Sequence, residues 1–379
     1  MTLNAAVLNR AICLAPALLM LASCGAAPAP ETPLSPDALA AVTKDAGAPK
    51  DQLAREIDDL FTKPGLGETR AVVLMADGRI AAERYAPGYT RDTRFISWSM
   101  AKSVTGVLIG MLVSDGLLAL DAPAPVPLWQ RPGDPRAEIT LRHLLQMRSG
   151  LRHTEAGDPP YESSEVRMLF LDGRDNMAKW AEEQPLEAEP GKKFEYSSNT
   201  SVILADIAAR ALTSSPRPEV RRKAVADYLH QRLFGPLGMT SMVPEFDASG
   251  TLIGGSLMHA TARDWAKFGE FLRLKGRTPG GEQLVPIRWV EAMVTPSPAR
   301  ANYGFQIWLN RKLPEGEDQA LFPDRAPASL FSLIGHMGQY VLVSPSQRVV
   351  LVRLGHSDAK QRPPMLQEAA DVLELYPAS

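Results

Sequence analysis

Phe95-Ile-Ser-Trp-Ser-Met-Ala-Lys-Ser-Val-Thr-Gly-Val-Leu-Ile-Gly-Met-Leu-Val-Ser114 is the stretch around which the rest of the chain is organised. It predicts one buried helix that opens with a nucleophile. From Met100 onward Val104, Val107, Leu108, Met111 and Leu112 cover more than one helical face, and Ala101, Gly106 and Gly110 allow neighbours to approach closely. Asp115-Gly116 is the expected stop. Ser99 falls in the first turn, where unpaired N–H groups and the helix dipole favour negative charge. Lys102, three residues on, shares its face. Serine is a poor nucleophile until a base takes its proton, and a lysine does so only when burial or nearby positive charge lowers its pKa. An S-x-x-K pair on a solvated helix means nothing; on a buried one it is a candidate catalytic pair. Ala101-Lys102-Ser103 also resembles the end of a phosphate-binding loop, but the preceding glycines are missing and nucleotide binding is set aside.

The 379 residues, 45% hydrophobic and 22% charged, suffice for a large core and about two domains. A net charge of −2 offers no basic stripe for nucleic acid. Residues 1–24 read as an export signal: Arg10 precedes an apolar run from Ala11 to Ala22 that is short for a membrane span. Leu21-Ala-Ser-Cys-Gly25 resembles a bacterial lipoprotein box, which makes Cys24 the expected lipidation site and the periplasmic side of a membrane, more readily the outer one, the expected location. A plain signal peptide is the alternative. Both cysteines, Cys13 and Cys24, lie in this segment, so the body has no thiol for a disulfide, a nucleophile or a cysteine-based zinc site.

Residues 25–50, rich in Ala and Pro, read as a tether. Residues 51–122 and 247–379 then form an α/β domain, with a mostly helical domain, 123–246, inserted between them. Asp77-Gly78 between two apolar runs predicts a hairpin. Strands return at Tyr303–Leu309, Gln339–Val343 and Arg348–Leu354. The fold class is therefore α/β in the α+β sense: one antiparallel sheet built from both chain ends and flanked by helices.

Three places can complete a site around Ser99. Tyr196, in Gly191-Lys-Lys-Phe-Glu-Tyr-Ser-Ser-Asn-Thr200, stands where an extended piece enters a helix; a nearby lysine could lower its pKa and let it exchange protons with the serine. A half-buried structural tyrosine is the alternative. Ile334-Gly-His-Met-Gly-Gln339 begins an apolar strand whose glycines suit close approach of a substrate backbone, and His336 could bond substrate or be a packing histidine. Gly254-Gly-Ser-Leu-Met-His-Ala-Thr261 reads mainly as structural, with Gly255 or Ser256 able to line the site. His143, His153, His230 and His259 lack metal-ligand spacing, and no metal or cofactor is expected.

Ser99-Met-Ala-Lys102, Tyr196-Ser-Ser-Asn199 and His336-Met-Gly338, in this order, resemble the serine β-lactamase and penicillin-binding protein superfamily, and within it the class C-like esterases and 6-aminohexanoate-dimer hydrolases. The resemblance extends over residues 51–379. It implies a β-lactamase/transpeptidase-like fold, acylation of Ser99, proton sharing by Lys102, and Tyr196 as general base and then general acid. It also implies an oxyanion hole from the backbone N–H groups of Ser99 and Gln339, with His336 to Gly338 edging the site. Two departures stand out. The family often has Asn two residues after the tyrosine; here that place is Ser198, and Asn199 follows. The third motif lacks both Lys and Thr. Both favour a small-molecule ester or amide substrate over a penicillin. A D,D-carboxypeptidase or weak β-lactamase is the enzymatic alternative, and a non-catalytic binding lipoprotein of the same fold the alternative from another class.

Overall fold

Asp77 and Gly78, both at positive φ (49° and 76°), turn the chain between β1 (Glu68–Ala76) and β2 (Arg79–Tyr85), the predicted hairpin. The computed structural model describes residues 33–378. The expected export signal, Cys24 and the start of the tether lie outside the described residues.

Seven further strands follow: β3 (Phe95–Ile96), β4 (Val243–Pro244), β5 (Met258–Ala260), β6 (Trp308–Leu309), β7 (Phe331–Gly335), β8 (Gln339–Ser344) and β9 (Val349–His356). Six of the nine strands among the described residues make one antiparallel sheet in the order β2-β1-β9-β8-β7-β6, so the two chain ends meet at the β1–β9 pair as expected. The small sheet β3-β5-β4 stands apart from it.

Two-residue periodicity explains why the sheet is buried on both sides. Val73, Met75, Val341, Val343, Val350 and Val352 join one hydrophobic cluster, while Val72, Leu74, Tyr340, Leu342, Val349 and Leu351 join another. The second cluster is completed by α1 (Pro36–Ala41), α2 (Lys50–Thr62) and, from the far end of the chain, Met365, Ala369, Val372 and Leu373. The first contains α3 (Ala101–Ser114), whose residues from Ala101 to Leu112 are all buried. The expected helical region supplies α4 (Leu141–Leu145), α5 (Ser164–Phe170), α6 (Met177–Glu182), α7 (Ser198–Leu212) and α8 (Pro218–Leu229), the last running on as a π turn to Phe234. Leu144, Met168, Val202 and Leu233 from this region share the first cluster with α3 and with α9 (Ala262–Arg273). The helical region therefore has no separate core. Helices α10 (Ile287–Met293) and α11 (Arg362–Glu374) complete the set.

Three expectations need correction. Phe95–Ser114 is not one helix: Phe95 and Ile96 pair with β5, Trp98–Met100 form a 3-10 turn, and the α-helix starts at Ala101. The tether ends before residue 50, because Ser35 caps α1, Pro36 stands at its first position, and Ala38, Ala41, Val42 and Ala46 are buried. Tyr303–Leu309 is strand only at its last two residues, since Gln306 takes a positive φ (58°) and the run is bent there. The close approach assigned to the glycines of α3 does occur: a Cβ on Gly110 would lie 2.2 Å from Trp289 Nε1, whose N–H donates to Gly106 O at 3.1 Å.

Candidate active site

Ser99 is presented by a clamped bend. The Ser97 N–H donates to Met258 O (2.7 Å), and the Ser97 hydroxyl accepts from Met258 N (3.1 Å), tying the chain to β5. Trp98 then sits at φ 44°, a conformation that costs a non-glycine residue on the order of 1–3 kcal/mol and persists because its surroundings impose it. The 3-10 turn that follows leaves Ser99 half-buried on the wall of a cavity of about 870 Å³.

One helical turn later Lys102 reaches back, with 1% of its surface exposed. Its Nζ donates to Ser99 Oγ (3.0 Å), Ser198 Oγ (2.7 Å) and Gly255 O (2.9 Å), and the Tyr196 hydroxyl shares in the same cluster. Burial pushes its pKa down, but Tyr196, Glu155 and Glu165 together outweigh burial and leave it raised, so the side chain is an ammonium. Glu155 Oε1 stands 3.6 Å from Nζ.

Tyr196 lies beside this pair, its ring 4.7 Å below Lys102 Nζ and packed on Trp308 (5.2 Å between ring centres) and Tyr303 (5.8 Å). Burial raises its pKa; the charge of Lys102 and hydrogen bonding by Ser99 and Lys102 act against burial without overcoming it. The phenol therefore holds its proton.

Of the motif around Tyr196, Ser198 rather than Asn199 enters the site. Ser198 opens α7, its backbone N–H donates to Glu155 Oε2 (2.6 Å), and its Oγ lies 2.7 Å from Glu155 Oε1 and 2.8 Å from Glu165 Oε1. A carboxylate at a helix N-terminus is favoured by the dipole and by unpaired N–H groups. Asn199 is turned away, its Nδ2 on Ser164 O and Met168 Sδ, both at 3.3 Å. Gly255 permits the close packing of this corner: a Cβ there would meet Ser198 O at 2.8 Å. Ser256 Oγ is 3.4 Å from both Glu165 Oε1 and Ser198 Oγ. Burial first, and then the charge of Glu155, push Glu165 up to about 7.

His336 lines the same cavity, edge-on to Trp98 at 5.4 Å, and burial together with Arg362 lowers its pKa, so it is neutral. Gly338 and the Gln339 side chain serve the turn instead. The Gln339 amide donates to Gly355 O (2.6 Å) and accepts from Gly355 N (3.0 Å), and Gly338 O accepts from the fully buried Arg353 (2.8 Å). Glu155 and Glu165 were not anticipated from sequence. Glu155 sits in a loop without periodicity, and Glu165 reads as an ordinary acid in a helix's first turn. Arg362, also on the cavity wall, carried no signal either.

The chain matches the Beta-lactamase family over residues 53–374 and belongs to that family. It is 25% identical over 257 residues to a 6-aminohexanoate-dimer hydrolase of Paenarthrobacter ureafaciens, a match covering 64% of this chain and 62% of that relative. Among solved structures it is similar to a Bacillus anthracis protein provisionally assigned as a 6-aminohexanoate-dimer hydrolase, with a TM-score of 0.63, 22% identity, and 82% and 80% of the two chains covered. It is also similar to a family VIII carboxylesterase, with a TM-score of 0.59, 15% identity, and 85% and 96% covered. The mixed fold with its antiparallel sheet matches these neighbours.

Proposed function

We propose that the protein is a serine hydrolase that cleaves an ester or small amide through an acyl-Ser99 intermediate. The observation that carries this reading is the 3.0 Å contact between Ser99 Oγ and a buried, charged Lys102 on the wall of an open cavity, with Tyr196 against both. Ser99 attacks the carbonyl, and the backbone N–H groups of Ser99 and Gln339 hold the oxyanion. Lys102 and Tyr196 carry the proton transfers, with Tyr196, which holds its proton at rest, protonating the leaving group. Water then releases the acyl group.

The orientation of Asn199 supports an ester or small amide, because the place from which the family's asparagine would meet a substrate amide is taken by Ser198, which is bonded to Lys102. One observation favours the D,D-carboxypeptidase or weak β-lactamase reading: Arg362 lines the cavity with no ion-pair partner among the described residues and could meet a substrate carboxylate. Tethering at a membrane through Cys24 belongs to the same proposal.

Turnover of p-nitrophenyl butyrate by the parent and by Ser99→Ala tests it. Loss of turnover in the variant is expected. Equal rates would favour the non-catalytic reading, and a stable penicillin adduct without ester turnover would favour the peptidase.

A further inference from the structure

We propose that Ser198, Glu155 and Glu165 form a proton relay behind Lys102, which takes up the Ser99 proton while the acyl bond forms and returns it as the leaving group departs. The inference rests on the acyl-Ser99 reading and adds to it the acceptor that the serine proton requires.

The argument begins with counting protons. Lys102 Nζ has three, shared among Ser99 Oγ, Ser198 Oγ, Gly255 O and the Tyr196 hydroxyl, and as an ammonium it has no lone pair with which to receive a fourth. It can accept the Ser99 proton only while giving up one of its own. The Gly255 carbonyl cannot take a proton, so the exit is the Ser198 hydroxyl. Tyr196 already holds its proton and is no acceptor at rest.

Ser198 leads directly to carboxyl groups. Its Oγ accepts from Lys102 and lies within 2.7 Å of Glu155 and 2.8 Å of Glu165. A hydroxyl has one proton, so Ser198 can donate to only one of them. The other contact is satisfied if that carboxyl is itself protonated and donates to Ser198. Glu165 is suited to be the neutral partner, since burial and Glu155 both favour its protonated form. At rest the corner then holds one ammonium, one carboxylate and one carboxylic acid, and the Ser198 hydroxyl makes one donation and two acceptances.

The step balances without any co-reactant. The Ser99 Oγ–H bond breaks as the Oγ–C bond forms; the Ser99 proton goes to Lys102, a Lys102 proton to Ser198, and the Ser198 proton to the carboxylate of Glu155. On collapse the bond from carbon to the leaving atom breaks, Tyr196 protonates that atom, and the stored proton travels back through Ser198 and Lys102 to Tyr196. Ser198 and the two glutamates touch no substrate atom in this scheme. They are positioning residues that act through Lys102.

The titratable surroundings are few. Lys102 and Glu165 face Glu155 with charge or potential charge, and Tyr196, Tyr303 and His336 face it as neutral groups. An acidic limb in the acylation rate is therefore expected to report the carboxyl pair.

The test compares pre-steady-state acylation by p-nitrophenyl butyrate in the parent, Ser198→Ala, Glu155→Gln and the Glu155→Gln/Glu165→Gln double variant, across pH and across H2O/D2O mixtures. The relay predicts a curved dependence on deuterium fraction in the parent and a linear one in Ser198→Ala. It also predicts a fall of about 10²–10⁴-fold in acylation for Ser198→Ala and the double variant, with loss of the acidic limb. Glu155→Gln alone is expected to displace that limb, because Glu165 becomes the acceptor. Parent-like rates, or a uniform fall at every pH with the limb and the isotope curvature intact, would overturn the relay. If Ser198→Ala does not fold, Glu155→Gln decides, since its site is a partly exposed loop: an unmoved limb refutes the proposal. Ser99→Ala run alongside separates the two claims. Turnover surviving in Ser99→Ala refutes the acyl-Ser99 reading itself, whereas turnover lost there but normal in Ser198→Ala refutes only the relay.

Discussion

Ser198 Oγ stands 2.7 Å from Lys102 Nζ, at the position where the family resemblance places an asparagine. The lysine is thereby held by a side chain that bonds two carboxyl groups. Truncating the lysine exposes how much this arrangement matters. In Lys102→Met the turnover of a p-nitrophenyl ester is expected to fall about 10²–10⁴-fold. The variant also removes the cation beside the partly exposed Glu155, so stability is expected to fall as well. Steady-state kinetics and urea unfolding at pH 8 measure the two effects. A variant as active and as stable as the parent would place Lys102 outside the mechanism.

Tyr196 separates chemistry from packing. Tyr196→Phe keeps the ring contacts with Trp308 and Tyr303 and removes only the hydroxyl. A fall of about 10²–10⁴-fold in kcat with an almost unchanged melting temperature is expected. A melting temperature that falls while kcat holds would assign the hydroxyl to the fold.

How much of this was readable from sequence differs from residue to residue. Ser99 and Lys102 were legible because a spacing of three has one meaning on a helix with apolar residues on every side. The hairpin was legible because Asp-Gly suits two successive positive φ angles. Glu155 and Glu165 were not, because they reach Lys102 only through the meeting of a loop, α5 and the start of α7, and no local pattern encodes that meeting. Strand β7 was missed because Phe331–Gly335 is a short run without alternation, equally compatible with a buried helical piece. The Ser35-Pro36 helix start was obscured by the Ala/Pro composition around it.

Gly255 links the corner's packing to its chemistry. In Gly255→Ala the new Cβ would meet Ser198 O at 2.8 Å, and relieving that contact by shifting backbone costs about 1–3 kcal/mol. Gly255 O and Ser198 Oγ are two of the acceptors around Lys102, so activity is expected to fall further than the loss of stability explains. Activity per folded molecule, from thermal melts and active-site titration together, provides the check; an unchanged value would mean that the corner tolerates the shift.

His153 sets an acid limit on stability. It is 2% exposed, with Nε2 3.2 Å from Ala181 O, and burial depresses its pKa from the ordinary 6.5 to about 4. Between those values the unfolded chain binds a proton that the folded chain does not, so stability falls as pH drops through the window. The full effect is about 3 kcal/mol. Denaturant midpoints at pH 7 and pH 4.5 are expected to differ less in His153→Asn than in the parent; equal differences would show that other groups carry the acid limb.

The central claim is an activated Ser99, and covalent labelling tests it most directly. The protein and its Lys102→Met variant are incubated with a fluorophosphonate, weighed intact and mapped by peptide. A single adduct on Ser99 of the parent, strongly reduced in the variant, is the predicted result. A folded parent that takes no adduct, or takes it on another residue, would contradict the account.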